Sequence, residues 1–134
     1  MAPNPGFRKI NFDAGLDAHQ RIGGTWVVIR NSFGQFVAAQ SEHLVGIDDP
    51  LIAEALAARA GLLFAISMGL KFVQVEGDSQ SLVCMILKKE KVHHKVEVVI
   101  EDIRSLVSSF DVCEFSFARR SVNEVCSLFS EKGF

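Results

Sequence analysis

Three acidic residues, Asp13, Glu54 and Asp78, stand out in this 134-residue chain because of their surroundings. Asp13 and Asp78 each follow a short alternating run that reads as a strand, and each precedes a turn sequence. Glu54 interrupts the most hydrophobic run in the chain, and none of its helical neighbours three or four residues away can neutralise its charge. A set of carboxylate oxygens suits Mg²⁺ or Mn²⁺ rather than Zn²⁺.

Each acid taken alone has a simpler explanation. Asp13 precedes Ala14-Gly15 and is a typical turn residue, and Glu54 can lie on a narrow exposed stripe of its helix. Two physical arguments favour a shared cation. Burying an unpaired carboxylate costs several kcal/mol, and clustered carboxylates repel one another unless a cation lies between them. The three acids therefore indicate a divalent-metal site if the fold brings them together.

The elements that must position these acids follow from hydrophobic periodicity and turn residues. Asp48-Asp49-Pro50 marks the start of an apolar helix, and Gly69 marks its end. A loop over 15–24 is expected after a first strand that stops at Asp13. The predicted order is β-β-β-α-β-α-α-β-α. After the first strand, the elements are expected near 25–30, 35–43, 51–68, 72–76, 79–88, 96–110, 112–117 and 121–132.

This order predicts an α/β fold with a mixed five-stranded sheet flanked by helices. The first three strands are joined by short connections and form an antiparallel meander. The fourth and fifth strands each follow a helix, so that the fourth can lie parallel beside the first. Asp13 and Asp78 would then lie at the same edge, at the carboxyl ends of strands, where open α/β sheets bind ligands.

Composition sets limits on the class of protein. Hydrophobic residues make up 49% and charged residues 22% of the chain, which excludes a disordered protein. We expect a flexible lead over 1–6 and a single domain over 7–134. The net charge of -2 gives no bulk sign of nucleic-acid binding but leaves room for a local basic patch.

The expected compartment is intracellular. Three cysteines without a CxxC pair indicate reduced thiols, which are Cys84, Cys113 and Cys126. The first residues contain no apolar segment of a secretory signal, and no apolar run reaches the ~20 residues of a membrane span. A monomer without a membrane partner is the default expectation.

Three motifs carry the acids in a recognisable order. They read Ile10-Asn11-Phe12-Asp13-Ala14-Gly15, then Ala53-Glu54-Ala55, then Glu76-Gly77-Asp78-Ser79-Gln80. Each is weak alone, but together they resemble the type 1 ribonuclease H family in order, spacing and element type. Element order agrees from Phe7 to about Phe129. The chain is most similar to plant ribonuclease-H-like domains, which also occur beside reverse transcriptases of non-LTR retroelements.

The resemblance implies a ribonuclease H-like fold with strand order 3-2-1-4-5, in which strand two is antiparallel and strand one is central. It implies hydrolysis of the RNA strand of RNA·DNA hybrids with two Mg²⁺ or Mn²⁺ ions held by four acids in a DEDD set. Asp13, Glu54 and Asp78 match the first three acids. They are therefore the expected catalytic and metal-binding residues, with Asp13 bridging both ions.

The fourth acid of the family has no counterpart. Ser127 stands at that position, which the family places early in its final helix, and a serine is a poor anionic ligand. The second ion is therefore expected to bind weakly. Glu124 has two alternative roles, as a substitute for the missing acid or as the partner of Ser121 in a capping box. Ser127 and the acidic pair Asp48-Asp49 leave an alternative open, a catalytically impaired module that binds nucleic acid or another protein.

The resemblance also implies a set of substrate contacts. Ser79 and Gln80 match positions at which the family touches the hybrid, and Ser79 can equally be a helix cap. Three basic residues are candidates for phosphate contacts, with solvated loops as the alternative. They are Lys88 and Lys89, in a connector that runs to residue 95, and Arg119 before the last helix. Trp26, Phe12 and Phe36 are expected in the core rather than as a base-stacking platform.

Overall fold

A computed structural model describes residues 6–88, 91–118 and 125–131. For 117–118 and 125–131 it describes the backbone alone. Its strands are β1 (Arg8–Asp17), β2 (Ile22–Arg30), β3 (Phe36–Val45), β4 (Phe72–Gly77), β5 (Val112–Ala118) and β6 (Val125–Glu131). Its helices are α1 (Pro50–Ser67), α2 (Gln80–Ile86) and α3 (Glu97–Val107), the last preceded by a 3₁₀ turn over His94–Val96.

All six strands form one sheet with the order β3-β2-β1-β4-β5-β6. β1 pairs antiparallel with β2 and parallel with β4, and β4 continues the parallel pairing with β5. The predicted mixed sheet with the order 3-2-1-4-5 and a central first strand is therefore confirmed. β6 adds an antiparallel strand at the β5 edge.

The core lies between one face of this sheet and a layer of helices. Side chains on that face are buried in alternation along the strands, as a pleated sheet with one covered face requires. α1 packs against β1, β2 and α3, while α2 packs against α3 and β5. The buried hydrophobic residues of the described strands are Ile10, Phe12, Val27, Ile29, Val73, Val75, Cys113 and Phe115.

The central helix, α1, begins and ends as predicted. The Asp49 side chain accepts a hydrogen bond from the Leu51 amide (2.9 Å), and Gly69 follows the helix with a φ of +74°. α1 is long and apolar enough to span a membrane by length and composition. It is nevertheless packed on the sheet, because small residues let it approach closely: a Cβ on Gly61 would lie 3.2 Å from Ile10 Cγ2.

The first hairpin is longer than predicted. The expected end of strand one at Asp13 and the loop over 15–24 are both wrong, because β1 and β2 stay paired as far as Asp17 and Ile22. The physical reason is the close approach of the two strands at their glycines: a Cβ on Gly23 would overlap the Gly15 carbonyl oxygen. These glycines serve strand pairing rather than a loop.

The last predicted helix, over 121–132, is wrong where the structure describes it. Residues 125–131 form β6, paired with β5 from Val112 to Ala118. Val125, Cys126 and Phe129 suit an extended chain, and β5 offers them a row of backbone partners. The capping-box residues of the prediction lie outside the described part of the chain.

Two of three aromatic residues expected in the core lie outside it. Phe12 is buried, as predicted. Trp26 is 49% exposed and Phe36 is 66% exposed, so the prediction is wrong for both. The reason is strand alternation: Val27 and Ile29 face the helices, which turns Trp26 to the opposite face of the sheet.

The extended hairpin can be tested with two glycine variants. Gly23→Ala should lower the free energy of unfolding by about 1–3 kcal/mol, because its methyl group meets backbone that has no room to move. Gly15→Ala is the matched control, since its Cβ meets only the ring of the half-exposed Trp26 at 3.2 Å. Urea unfolding measures both variants, and equal losses would contradict the paired hairpin.

Candidate metal centre

The three predicted acids meet where β4 ends. The parallel pairing of β1 and β4 stops at Asn11 and Glu76, so that Asp13 lies just beyond the last paired residue of β1. Asp78 directly follows β4, and Glu54 projects from the second turn of α1. One carboxylate oxygen from each acid lies within 4.8 Å of the other two. The predicted convergence of these residues on one edge of the sheet is present.

Local packing explains how the chain holds this arrangement. A Cβ on Gly77 would overlap the ring of Phe12, so glycine lets that ring fill the space under the end of β4. The Ser79 hydroxyl accepts a hydrogen bond from the Leu82 amide (3.3 Å) and caps α2, which fixes the turn after Asp78.

The electrostatics of the cluster favour a cation. The pKa of Glu54 rises from 4.5 to about 7, first because the carboxyl is buried and then because Asp78 and Asp13 repel its charge. The backbone amide of Ala14 partly opposes this rise. Within the described part of the chain, no hydrogen-bond partner reaches the buried Glu54 Oε2. A divalent ion would satisfy this oxygen and offset two of the three negative charges, so the donor set fits Mg²⁺ or Mn²⁺.

The position expected for a fourth acid lies elsewhere in the fold. Ser127 is on β6, where its backbone pairs with Ser116 of β5 rather than standing on a helix beside the acids. β4 and β5 separate β6 from β1 in the sheet. Among residues whose side chains the structure describes, the metal-competent cluster comprises Asp13, Glu54 and Asp78. Glu124 lies outside the described residues.

The predicted substrate residues divide into two groups. Ser79 and Gln80 stand at the start of α2, directly after Asp78. Lys88 follows the opposite end of α2, where it lines a cavity of about 270 Å³ together with Arg104, so the structure does not bring it to the acids. Lys89 and Arg119 lie outside the described residues.

A cleft lined by charges of both signs opens beside the first turn of the helix that carries Glu54. Its volume is about 730 Å³, and the segment after α2 contributes Lys91, Lys95 and the acidic Glu97 to its lining. Asp49 and Leu51, at the start of α1, line it as well. The sequence shows that this connector is basic, but it does not indicate which element packs against the connector. The contact depends on tertiary packing, and no local pattern encodes it.

Sequence reasoning also missed one backbone group at the site. The Ala14 amide donates to Asp13 Oδ1 (2.9 Å) and moderates the pKa of Glu54. Every residue except proline carries such an amide, so no residue type signals this role.

The chain matches a known protein family in sequence and several solved proteins in structure. Residues 11–133 match the family model described as reverse transcriptase-like. RNase H1 from the halophilic archaeon Halobacterium salinarum has a similar structure, with a TM-score of 0.79 and 20% identity over 87% of this chain and 89% of that chain. No curated protein sequence matches the chain.

Two further structures share the fold. The N-terminal RNase H domain of rv2228c from Mycobacterium tuberculosis, solved as a fusion with maltose-binding protein, has a TM-score of 0.78 and 22% identity over 87% of this chain and 85% of that one. LC11-RNase H1, isolated from compost and solved in complex with an RNA/DNA hybrid, has a TM-score of 0.75 and 20% identity over 87% and 88%. The expected closeness to plant domains stays a prediction.

The raised pKa of Glu54 gives a pH-dependent stability. Because the folded pKa of about 7 exceeds the ordinary 4.5, the folded state holds this proton more tightly than the unfolded state. The contribution to stability is full below pH 4.5 and is lost as the pH rises towards 7. The melting temperature of the metal-free protein should fall over this range, and Mg²⁺ should raise it more above pH 7 than below pH 5.

Glu54→Gln should remove this part of the pH dependence and most of the stabilisation by Mg²⁺. Glu42→Gln is the matched control, since Glu42 is an exposed carboxylate on β3 and should keep both effects. Melting curves of both variants with and without Mg²⁺ make the comparison. Equal Mg²⁺ stabilisation in the wild type and Glu54→Gln would contradict a metal site at Glu54.

Proposed function

This chain belongs to the reverse transcriptase-like family and has the type 1 ribonuclease H fold, and on that premise we propose a specific activity. We propose that it is a divalent-metal-dependent endonuclease that hydrolyses the RNA strand of RNA·DNA hybrids. The observation that carries the proposal is the convergence of three carboxylate oxygens within 4.8 Å, one acid having a buried oxygen without a partner. A purely structural module has no use for such a destabilising cluster.

The three acids have distinct places in the proposed site. Asp13 on the central strand, Glu54 on α1 and Asp78 after β4 would together hold the metal. Mg²⁺ or Mn²⁺, when bound, supplies activation of the attacking water and stabilisation of the leaving oxygen. Glu54 must release its proton for this, which its pKa of about 7 permits near neutral pH.

The substrate side of the proposal rests on the surroundings of the acids. Ser79 and Gln80 carry small hydrogen-bonding groups next to Asp78, suited to the minor groove of a hybrid. Lys91 and Lys95 line the cleft beside α1, where they can contact phosphates without reading sequence. LC11-RNase H1, which shares the fold, was solved with an RNA/DNA hybrid.

A second function is favoured by one observation. Ser127 stands where the resemblance leads us to expect the fourth acid, and β4 and β5 separate its strand from β1, which carries Asp13. With three acids, the second ion is held weakly or not at all. The chain would then be a catalytically impaired module that binds nucleic acid through the same fold.

Hybrid cleavage separates these two functions. In Mg²⁺ or Mn²⁺ the wild type should cut a labelled RNA·DNA hybrid, and Asp13→Asn should reduce the rate at least about 100-fold through loss of a metal ligand. Asp17→Asn is the matched control, because Asp17 is an exposed acid on the same strand that accepts a hydrogen bond from the Gln20 amide in the turn. If the wild type cleaves no faster than Asp13→Asn in either metal, the enzyme proposal fails.

The two lysines that line the cleft beside α1 give a prediction for binding. Changing Lys91 and Lys95 together to Ala should weaken hybrid affinity for all sequences alike and lower the slope of log K against log salt by about 1–2. Lys71→Ala is the control, since Lys71 precedes β4 at the opposite end of that strand from Asp78. Fluorescence anisotropy of a labelled hybrid over a salt series measures both. An unchanged slope in the double variant would exclude the cleft as a phosphate contact.

A further inference from the structure

Trp26, the only tryptophan in the chain, lies next to the acid cluster. In the β1–β2 ladder Trp26 is directly opposite Asp13. Residues opposite each other in an antiparallel pair have their side chains on the same face, with Cβ atoms about 4.5–5.5 Å apart. Trp26 and Asp13 therefore project from adjacent positions on the sheet face that, among the described strand residues, carries no buried side chain.

Two glycines give the indole a flat support. Gly15 and Gly24, which are paired with each other, share this face with Trp26. The ring atoms Cζ3 and Cη2 lie 3.2 Å from where a Gly15 Cβ would stand, and Cη2 lies 3.6 Å from the corresponding point at Gly24. The ring thus rests on hairpin backbone, and its 49% exposure leaves the rest of its surface in solvent.

The place of this ring on the hairpin is informative. β4 pairs with β1 only as far as Asn11, so the ring sits on the part of the hairpin that projects past the end of β4, beside Asp13. The indole is uncharged, and it can approach a nucleotide without the repulsion that Asp13 and Asp17 exert on phosphate.

The shape of a hybrid duplex indicates which group this ring would meet. Bases in a duplex are stacked inside, whereas the wide, shallow minor groove of an A-form helix exposes the sugars. An indole provides a broad apolar surface for such a group, in a contact that does not depend on base identity. We propose that Trp26 packs against a ribose next to the phosphate held at the acids and so positions the RNA strand. This inference rests on the proposed function.

The chain itself supplies the probe for this contact. It contains one tryptophan and no tyrosine, so excitation of the indole reports on Trp26 alone. The Asp13→Asn protein, in which turnover is blocked, is titrated with a short RNA·DNA hybrid in Mg²⁺ while anisotropy of a label on the DNA strand records binding. Trp26 emission should change in step with binding, and a DNA duplex of the same sequence should change it less.

Kinetics distinguish a substrate contact from a purely structural role. Trp26→Ala should raise KM about tenfold with kcat nearly unchanged, as expected when binding is lost equally in the ground and transition states. Trp26→Phe, which keeps a ring, should recover most of the affinity. Phe36→Ala is the matched control and should leave KM unchanged. Phe36 is an exposed aromatic residue on β3, and it pairs with Arg30 at the end of β2 that lies away from the β1–β2 turn.

The outcomes separate the two proposals. If the hybrid binds while Trp26 emission and the KM of the variants stay unchanged, the ribose contact is excluded and the nuclease function stands. A fall in melting temperature for Trp26→Ala without any change in KM would likewise assign the ring to stability alone. If the hybrid neither binds nor is cut, both proposals fail.

Discussion

The parallel pairing of β1 with β4 is the constraint on which the site depends. Only four residue pairs, from Arg8 with Val73 to Asn11 with Glu76, join these strands. They fix where β4 stops relative to β1 and therefore how closely Asp13 and Asp78 approach. The free energy that holds two like charges together comes from the hydrophobic core under this pairing, which includes Ile10 and Val75. Helix α1 then adds a third carboxylate that the strands alone could not supply.

Much of this arrangement can be read from the sequence because its determinants are local. Asp49 and Gly69 mark the start and the end of α1, and the alternation of apolar residues identifies the buried strands. The three acids stand out because each conflicts with its surroundings, Glu54 most clearly. A carboxylate in an apolar helix requires an explanation whatever the tertiary structure turns out to be.

The features that escaped prediction depend on partners distant in sequence. Gly23 looks like a loop residue until Gly15 is seen opposite it. Residues 125–131 contain both a helical pattern and strand-forming side chains, and the open edge of β5 decides between them. Trp26 is hydrophobic, and its position next to Val27 in an alternating strand is the signal for its exposure.

The projecting part of the β1–β2 hairpin has a consequence for how such a protein can diversify. Beyond Asn11 the hairpin is bounded by β3 on one side and is no longer paired to β4 on the other. The part of the hairpin beyond Asp13 can therefore change in length without shifting the β1–β4 register that positions Asp13 and Asp78. The hairpin thus holds one acid of the metal centre at its base, while its tip is free to diverge.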